Sequence, residues 1–253
     1  MRAMARIPPS SALVGPTYRV LMAAALPRLA ARRDRASRAL FRALWTTALG
    51  RIPREEREWI GRIEARRAEL TSADASPFVR WMSIAPVWGR FLMRTVREVA
   101  PRSCLELGTA FGISAAYQAA ALELNGAGTL TTVERNEGLG GIAEEGFSRL
   151  GLSRRVQLRL ESLPDSLGSV LEPMPPIDYA FLDADHTESA TVAHFATLLP
   201  HLREGAIVVF DDINWSDGMW RAWKSIAANE RVSTVLKLRR VGIIVIAGHD
   251  DVP

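Results

Sequence analysis

The sequence predicts a doubly wound α/β domain behind a helical N-terminal extension, and three observations predict it. Short apolar or β-branched runs alternate with helical patterns from residue 103 onward. The first of these runs, Ser103–Leu107, passes through a glycine turn directly into a helical pattern. The last two, Val232–Leu238 and 241–247, are separated only by Arg239 and Arg240, so they must pair antiparallel. At 253 residues the chain holds one such domain, expected over 85–253, and an extension over 1–84.

The extension is helical in pattern, with no strand-like run. Pro8, Pro9, Ser10 and Ser11 break its start, and helices are expected over 18–33 and 36–49, the second ended by Gly50. Pro53 suits the first turn of a third helix running to Leu70, whose apolar face is Trp59, Ile60 and Ile63. Arg54/Glu58 and Glu58/Arg62 support it at i, i+4 spacing. Residues 71–76 read as a loop, and Pro86–Val99 as the helix that leads into the sheet. Leu40, Phe41, Leu44 and Trp45 form an apolar patch that the sheet domain or a second subunit must cover. A homodimer is expected, with the extension also shaping the ligand pocket.

In the domain, strands are expected over Ser103–Leu107, 129–133, Val156–Leu160, Ile177–Leu182 and 206–210. Between them, 113–124 keeps a helical period through Ile113, Ala116, Tyr117, Ala120, Ala121 and Leu124. Residues 188–202 place Val192, Phe195, Leu199 and Leu202 on one helical face, and 216–229 is a further helix.

Composition narrows the class. Hydrophobic residues make up 48% and charged residues 24%, ordinary for a globular domain. The single cysteine, Cys104, excludes an intrachain disulfide or a cysteine-based zinc site, and reads as a buried apolar residue. No run of about 20 apolar residues could span a membrane, and a cytoplasmic protein is expected. Net charge is +4, with six arginines and no acidic residue before Asp34. Those arginines lack interleaved aromatics or a nucleic-acid motif, so a solvated basic face is expected rather than a nucleic-acid partner.

The motif Cys104-Leu-Glu-Leu-Gly-Thr-Ala-Phe-Gly-Ile-Ser114 carries the cofactor reading. Glycines after a strand let a ligand approach the backbone, and the next helix points its free N–H groups at it. The spacing from Gly108 is G-x-x-x-G, not the G-x-G-x-x-G of a dinucleotide loop. Glu106 would repel a pyrophosphate but suits a ligand carrying an amine and a sulfonium, which points to S-adenosylmethionine (SAM). Gly108, Gly112 and Ser114 are the other expected contacts in this loop. Glu134, ending the second strand, sits where a ribose hydroxyl pair is held. Glu161 and Ser162, after the third strand, sit where an adenine edge is met.

The metal reading comes from Phe181-Leu-Asp-Ala-Asp-His186 and Val208-Val-Phe-Asp-Asp212. These segments end adjacent parallel strands, so Asp183, Asp211 and Asp212 are expected to converge over the crevice. Three carboxylates together need a cation among them, and an all-oxygen set selects Mg²⁺ or Mn²⁺. Asp185 reads as the cap of the following helix, and His194, His201 and His249 receive no role. Trp215, Trp220 and Trp223 follow the metal strand and either wall the acceptor pocket or pack the core.

Taken together, C-L-E-L-G-T-A-F-G-I-S, T-V-E, F-L-D-A-D-H and F-D-D resemble the class I SAM-dependent methyltransferases over about residues 85 to 250. Within them they are most similar to the divalent-metal O-methyltransferases of catechol and caffeoyl-CoA type. The resemblance implies a Rossmann-like sheet, SAM held by the loop and Glu134, with Asp183 also near it, and Mg²⁺ or Mn²⁺ at Asp183, Asp211 and Asp212. Asp212 stands where that family has Asn. His186 stands where catechol-type enzymes have a lysine base, as in macrolide-sugar O-methyltransferases, which implies His186 as general base. The implied reaction is methyl transfer to a hydroxyl of a sugar, catechol or polyketide-like acceptor. A nicotinamide-dependent oxidoreductase and a non-catalytic SAM-binding interaction protein are the competing classes.

Overall fold

The computed structural model describes residues 11–72, 79 and 82–248, with side chains from Thr17 onward. The expected break at 8–10, the loop at 73–76 and His249 lie outside these residues. The extension supplies α1 (Ser11–Ala30), α2 (Arg35–Leu49) and α3 (Arg54–Thr71), and α4 (Pro86–Val99) leads into the sheet. The alternating part follows as β1 (Ser103–Leu107), α5 (Ile113–Asn125), β2 (Thr129–Glu134), α6 (Glu137–Leu150) and β3 (Val156–Leu160). It continues with α7 (Leu167–Leu171), β4 (Ile177–Leu182), α8 (Glu188–Leu198), β5 (Leu202–Phe210) and α9 (Asp217–Ala227). It closes with β6 (Val232–Leu238) and β7 (Val241–Ile246).

Side-chain caps set four helix starts, and those of α2, α8 and α9 lie within a residue of where sequence placed them. Asp34 accepts from the Ser37 N–H, Asn136 from Leu139, Thr187 from Ala190 and Ser216 from Met219. Gly50 ends α2 in the left-handed conformation, φ 67°. Two expectations need correction. The helix expected over 188–202 stops at Leu198, followed by a 3₁₀ turn over Leu199–His201, and Leu202 already belongs to β5. Pro200 has no N–H to continue the ladder, which accounts for the early stop. Val192, expected on its apolar face, is exposed. The first helix also runs earlier than expected, ending at Ala30.

Among the described residues the strands form one sheet in the order β3-β2-β1-β4-β5-β7-β6. Strands β1 to β5 pair parallel, while β7 runs antiparallel to both β5 and β6, as the two-residue connection required. Between β1 and β4 the order reverses, and the carboxyl ends of parallel strands there open a crevice.

Each face of the sheet has its own core. On one face α7, α8 and α9 cover Leu105, Leu182, Val208 and Phe210. On the other, α4 and α5 join α1 and α2 of the extension over Phe181, Val209, Leu236 and Val245. Met22, Leu40 and Leu44 are fully buried there, so the extension shares a core with the sheet. Helix α5 is buried on every side from Ile113 to Leu122, not only on its expected face. No described helix is long and apolar enough to cross a membrane.

Candidate active site

A cavity of about 1400 Å³ opens over the reversal point. Its wall is built by the ends of β1, β2, β4 and β5, by the β6–β7 tip, and by α1, α3 and α4. At Gly108 the loop passes close to the backbone that follows β4. The φ of Gly108 is +96°, and a Cβ there would stand 2.3 Å from the Asp183 carbonyl oxygen. The glycine is therefore required by the fold of the crevice as well as by any ligand.

At the β2 end, Glu134 is held rigidly. One carboxylate oxygen accepts from the Ala110 N–H at 2.8 Å, and the other from Arg135 and Asn136 at 3.0 and 2.9 Å. It lines the cavity with Gly108, Ala110, Asn136 and Glu161, and the backbone bonds leave it one lone pair for a ligand hydroxyl. Three other expected contacts do not reach the cavity. Gly112 (φ 75°) instead lets α5 pack on α6, since a Cβ would stand 2.9 Å from that of Ala143. Ser114 is buried and hydrogen-bonded to Glu106. Ser162 is not among the lining residues, and its carbonyl accepts from the Ser166 hydroxyl.

Glu106 is the larger correction. It has no exposed surface, and Gln118 Nε2 and Thr132 Oγ1 donate to its two oxygens at 2.8 and 2.6 Å. It lies beneath the loop and lines no part of the cavity. Burial pushes its carboxyl up to about 7, against the hydrogen bonds from Thr132, Ser114 and Gln118.

The acidic segments converge as the strand order demands. Asp183 and Asp211 continue the ladder beyond their strands, their N–H groups donating to Leu107 and Leu182. Asp183, His186 and Asp212 each offer a ligand atom within 4.8 Å of the others. Asp211, expected as a metal ligand, is committed elsewhere. Arg240 Nε and Nη2 donate to its two oxygens, both at 2.8 Å, and Asp211 is 2% exposed. Arg240 Nε also lies 3.0 Å from Asp212 Oδ1. The cation that three carboxylates require is thus partly supplied by the chain.

His186 Nε2 lies 3.6 Å from Asp183 Oδ1. Burial lowers the His186 pKa, with Asp211 opposing, so the imidazole is neutral near pH 7. Burial and the charges of Asp211 and Asp212 raise Asp183, and burial with Asp211 raises Asp212 to about 6. Asp185, His186 and Asp212 all have positive φ (59°, 39° and 52°), a cluster of strained non-glycine residues around one point. Asp185 does not cap α8, a role taken by Thr187; it pairs with Arg135 at 3.2 Å and faces the buried His194 at 3.7 Å. Of the tryptophans, Trp223 packs in the core, Trp220 carries Lys237 over its ring, and Trp215 lines the cavity. Trp215 is 66% exposed, its ring 6.0 Å from that of His186.

Sequence reasoning missed Arg240, which the hairpin tip delivers to the site from 29 residues beyond Asp211. The signal was a pair of arginines where a two-residue hairpin ordinarily has Asn and Gly. It also missed Glu64 and Arg67 of α3, which line the cavity, Glu64 accepting from Tyr117 Oη at 2.6 Å.

Comparison with known proteins bears on the fold. A methyltransferase-domain family matches residues 105–213. A catechol O-methyltransferase from Niastella koreensis is 32% identical over 133 residues, 52% of this chain and 58% of that protein. The chain thus matches little more than half the length of that curated relative. The O-methyltransferase from Bacillus cereus, solved in complex with S-adenosylhomocysteine (SAH), is 27% identical, covering 80% of this chain and 94% of that one, with a TM-score of 0.57. TomG from Streptomyces achromogenes, an O-methyltransferase of tomaymycin synthesis solved with SAM, is 22% identical and covers 76% and 90%, with a TM-score of 0.60. The chain has the class I SAM-dependent methyltransferase fold.

Proposed function

We propose that this chain is a SAM-dependent O-methyltransferase that methylates a hydroxyl of a small molecule, with Mg²⁺ or Mn²⁺ at the acceptor end. One observation carries the reading: Glu134 at one strand end and Asp183, His186 and Asp212 at two others face a single cavity at the reversal point. A sugar diol, a catechol or a polyketide-derived diol is the acceptor class, since adjacent oxygens suit such a site.

The donor set fits a divalent ion. Asp183 and Asp212 supply hard oxygens, Mg²⁺ commonly takes only one or two carboxylates with water and substrate oxygens, and Arg240 balances Asp211. When bound, SAM supplies the electrophilic methyl group and the metal lowers the pKa of the acceptor hydroxyl. The chain's residues do the rest. Glu134 fixes the ribose end, and Gly108 keeps the loop backbone close to the ligand. His186 Nε2 takes the hydroxyl proton, and Asp183 beside it stabilises the imidazolium that forms. Trp215 walls the acceptor and excludes water from one side. The reading includes a cytoplasmic homodimer: the lone thiol is buried, and Trp45 and Leu49 leave an apolar surface on α2.

Calorimetry with SAM, SAH and NAD tests it. SAM and SAH should bind, and Glu134→Ala should weaken them by roughly 1–3 kcal/mol. Chelator should abolish turnover on catechol and sugar-diol acceptors, and Mn²⁺ should restore it. Binding of NAD without SAM would overturn the reading in favour of an oxidoreductase.

A further inference from the structure

The tip of the β6–β7 hairpin is built in an unusual way. Its two residues are Arg239 and Arg240, and Arg239 has φ +60°, a conformation in which Gly or Asn is the unstrained choice. The tip is tied down, since the Ile213 N–H donates to the Arg240 carbonyl at 2.9 Å. From there the guanidinium forks onto both oxygens of Asp211 and reaches Asp212. The Asp212 N–H occupies a further lone pair of Asp211 at 2.8 Å. All three carboxylates line the cavity, but Asp211 is nearly saturated by these bonds, whereas Asp183 and Asp212 each offer a ligand atom beside His186.

We propose that Arg240 is a positioning residue of the metal site, a built-in counter-cation that keeps Asp211 out of the ligand set and tempers divalent-ion affinity. The inference rests on the metal reading above. A dication entering at Asp183 and Asp212 meets a fixed positive charge in contact with one of its own ligands. Removing that charge should tighten binding. Removing Asp211 alone should do the reverse, because the freed guanidinium then has Asp212 as its nearest carboxylate.

The test is Mn²⁺ binding to the full chain without SAM or acceptor, read from the free-ion signal in electron paramagnetic resonance. Arg240→Gln should bind at least about tenfold more tightly than the parent, the effect of one charge a few ångströms away. Asp211→Asn should bind more weakly. The double variant, which removes both charges of the pair, should lie within about threefold of the parent. A gain in affinity cannot come from a damaged fold, and thermal unfolding confirms that each variant is folded. If Arg240→Gln does not fold, the double variant decides. A folded Arg240→Gln that binds no more tightly overturns the proposal, as does a double variant that has lost Mn²⁺, since Asp211 would then be a ligand. Absence of binding in the parent and all folded variants overturns the metal reading itself, and the proposal with it.

Discussion

Glu106 lies under the glycine loop with Gln118 and Thr132 bonded to its two oxygens, and burial holds its carboxyl near 7. A folded-state pKa raised above the unfolded value of about 4.5 makes the native state the stronger proton binder. Stability from this group is then full below about pH 4.5 and is lost as pH rises to about 7. The loss is on the order of 3 kcal/mol. Glu106→Gln should flatten the fall in melting temperature between pH 5 and 7; a variant with the parent's full slope would show that Glu106 stays ionised. His186 makes a kinetic prediction at the same scale. Its pKa is lowered by burial, so the neutral base persists below the usual 6.5 and the acid limb of the rate profile should lie on that side. His186→Ala should lower turnover by about 10² or more and remove that limb, with SAM affinity unchanged. Activity within a few-fold of the parent would leave His186 as a helix-start residue only. Strand-end residues such as Glu134, Asp183 and His186 were legible because position along a parallel strand decides which end of the sheet a side chain meets. The capture of Glu106 by Gln118 was not, because it depends on how α5 rotates against β1 and β2.

Elements were legible where a local signal marks them. Pro86–Val99, β1, β3, β4 and β6 fall where period and composition put them, and the hairpin followed from chain geometry alone. Leu202 was misread because Phe195, Leu199 and Leu202 continue a helical spacing that Pro200 interrupts. Contacts between elements leave no local mark. Arg94 of α4 is the clearest case: it bonds Glu56 of α3 at 3.0 Å, Thr47 of α2 at 3.2 Å and the Arg51 carbonyl between them. Both charges are at most 6% exposed, so neither finds water if the other is removed. Arg94→Met should therefore destabilise the chain by about 3–5 kcal/mol in urea unfolding, and adding Glu56→Leu should recover much of it. A cost below about 1 kcal/mol for the single substitution would mean that this junction admits water and does not hold the extension.

At the scale of the molecule, the extension and the sheet domain are covered by one another. Leu40 and Leu44, four residues apart on α2, face the sheet and are fully buried. Phe41 and Trp45, the same interval one position round the helix, stack at 6.2 Å, Phe41 half-buried against the same core and Trp45 50% exposed. Three of the expected patch of four thus pack on the core and Trp45 alone is exposed, a division that sequence spacing permits but that only the docking of α2 reveals. The inner face anchors the extension, whose neighbouring helices α1 and α3 place Tyr18, Glu64 and Arg67 on the cavity wall. The outer face, with Leu49 at 45% exposure, is what a second copy would cover. A stable dimer buries more than about 1,000 Å² in total, so the ring pair would be its centre rather than its whole extent. Light scattering should give twice the chain mass, and Trp45→Glu should yield a monomer that still binds SAM, because Trp45 is outside the cavity. A parent protein that remains monomeric at high concentration would leave the stacked pair as an exposed feature of one chain, and the acceptor pocket would then be complete within a single subunit.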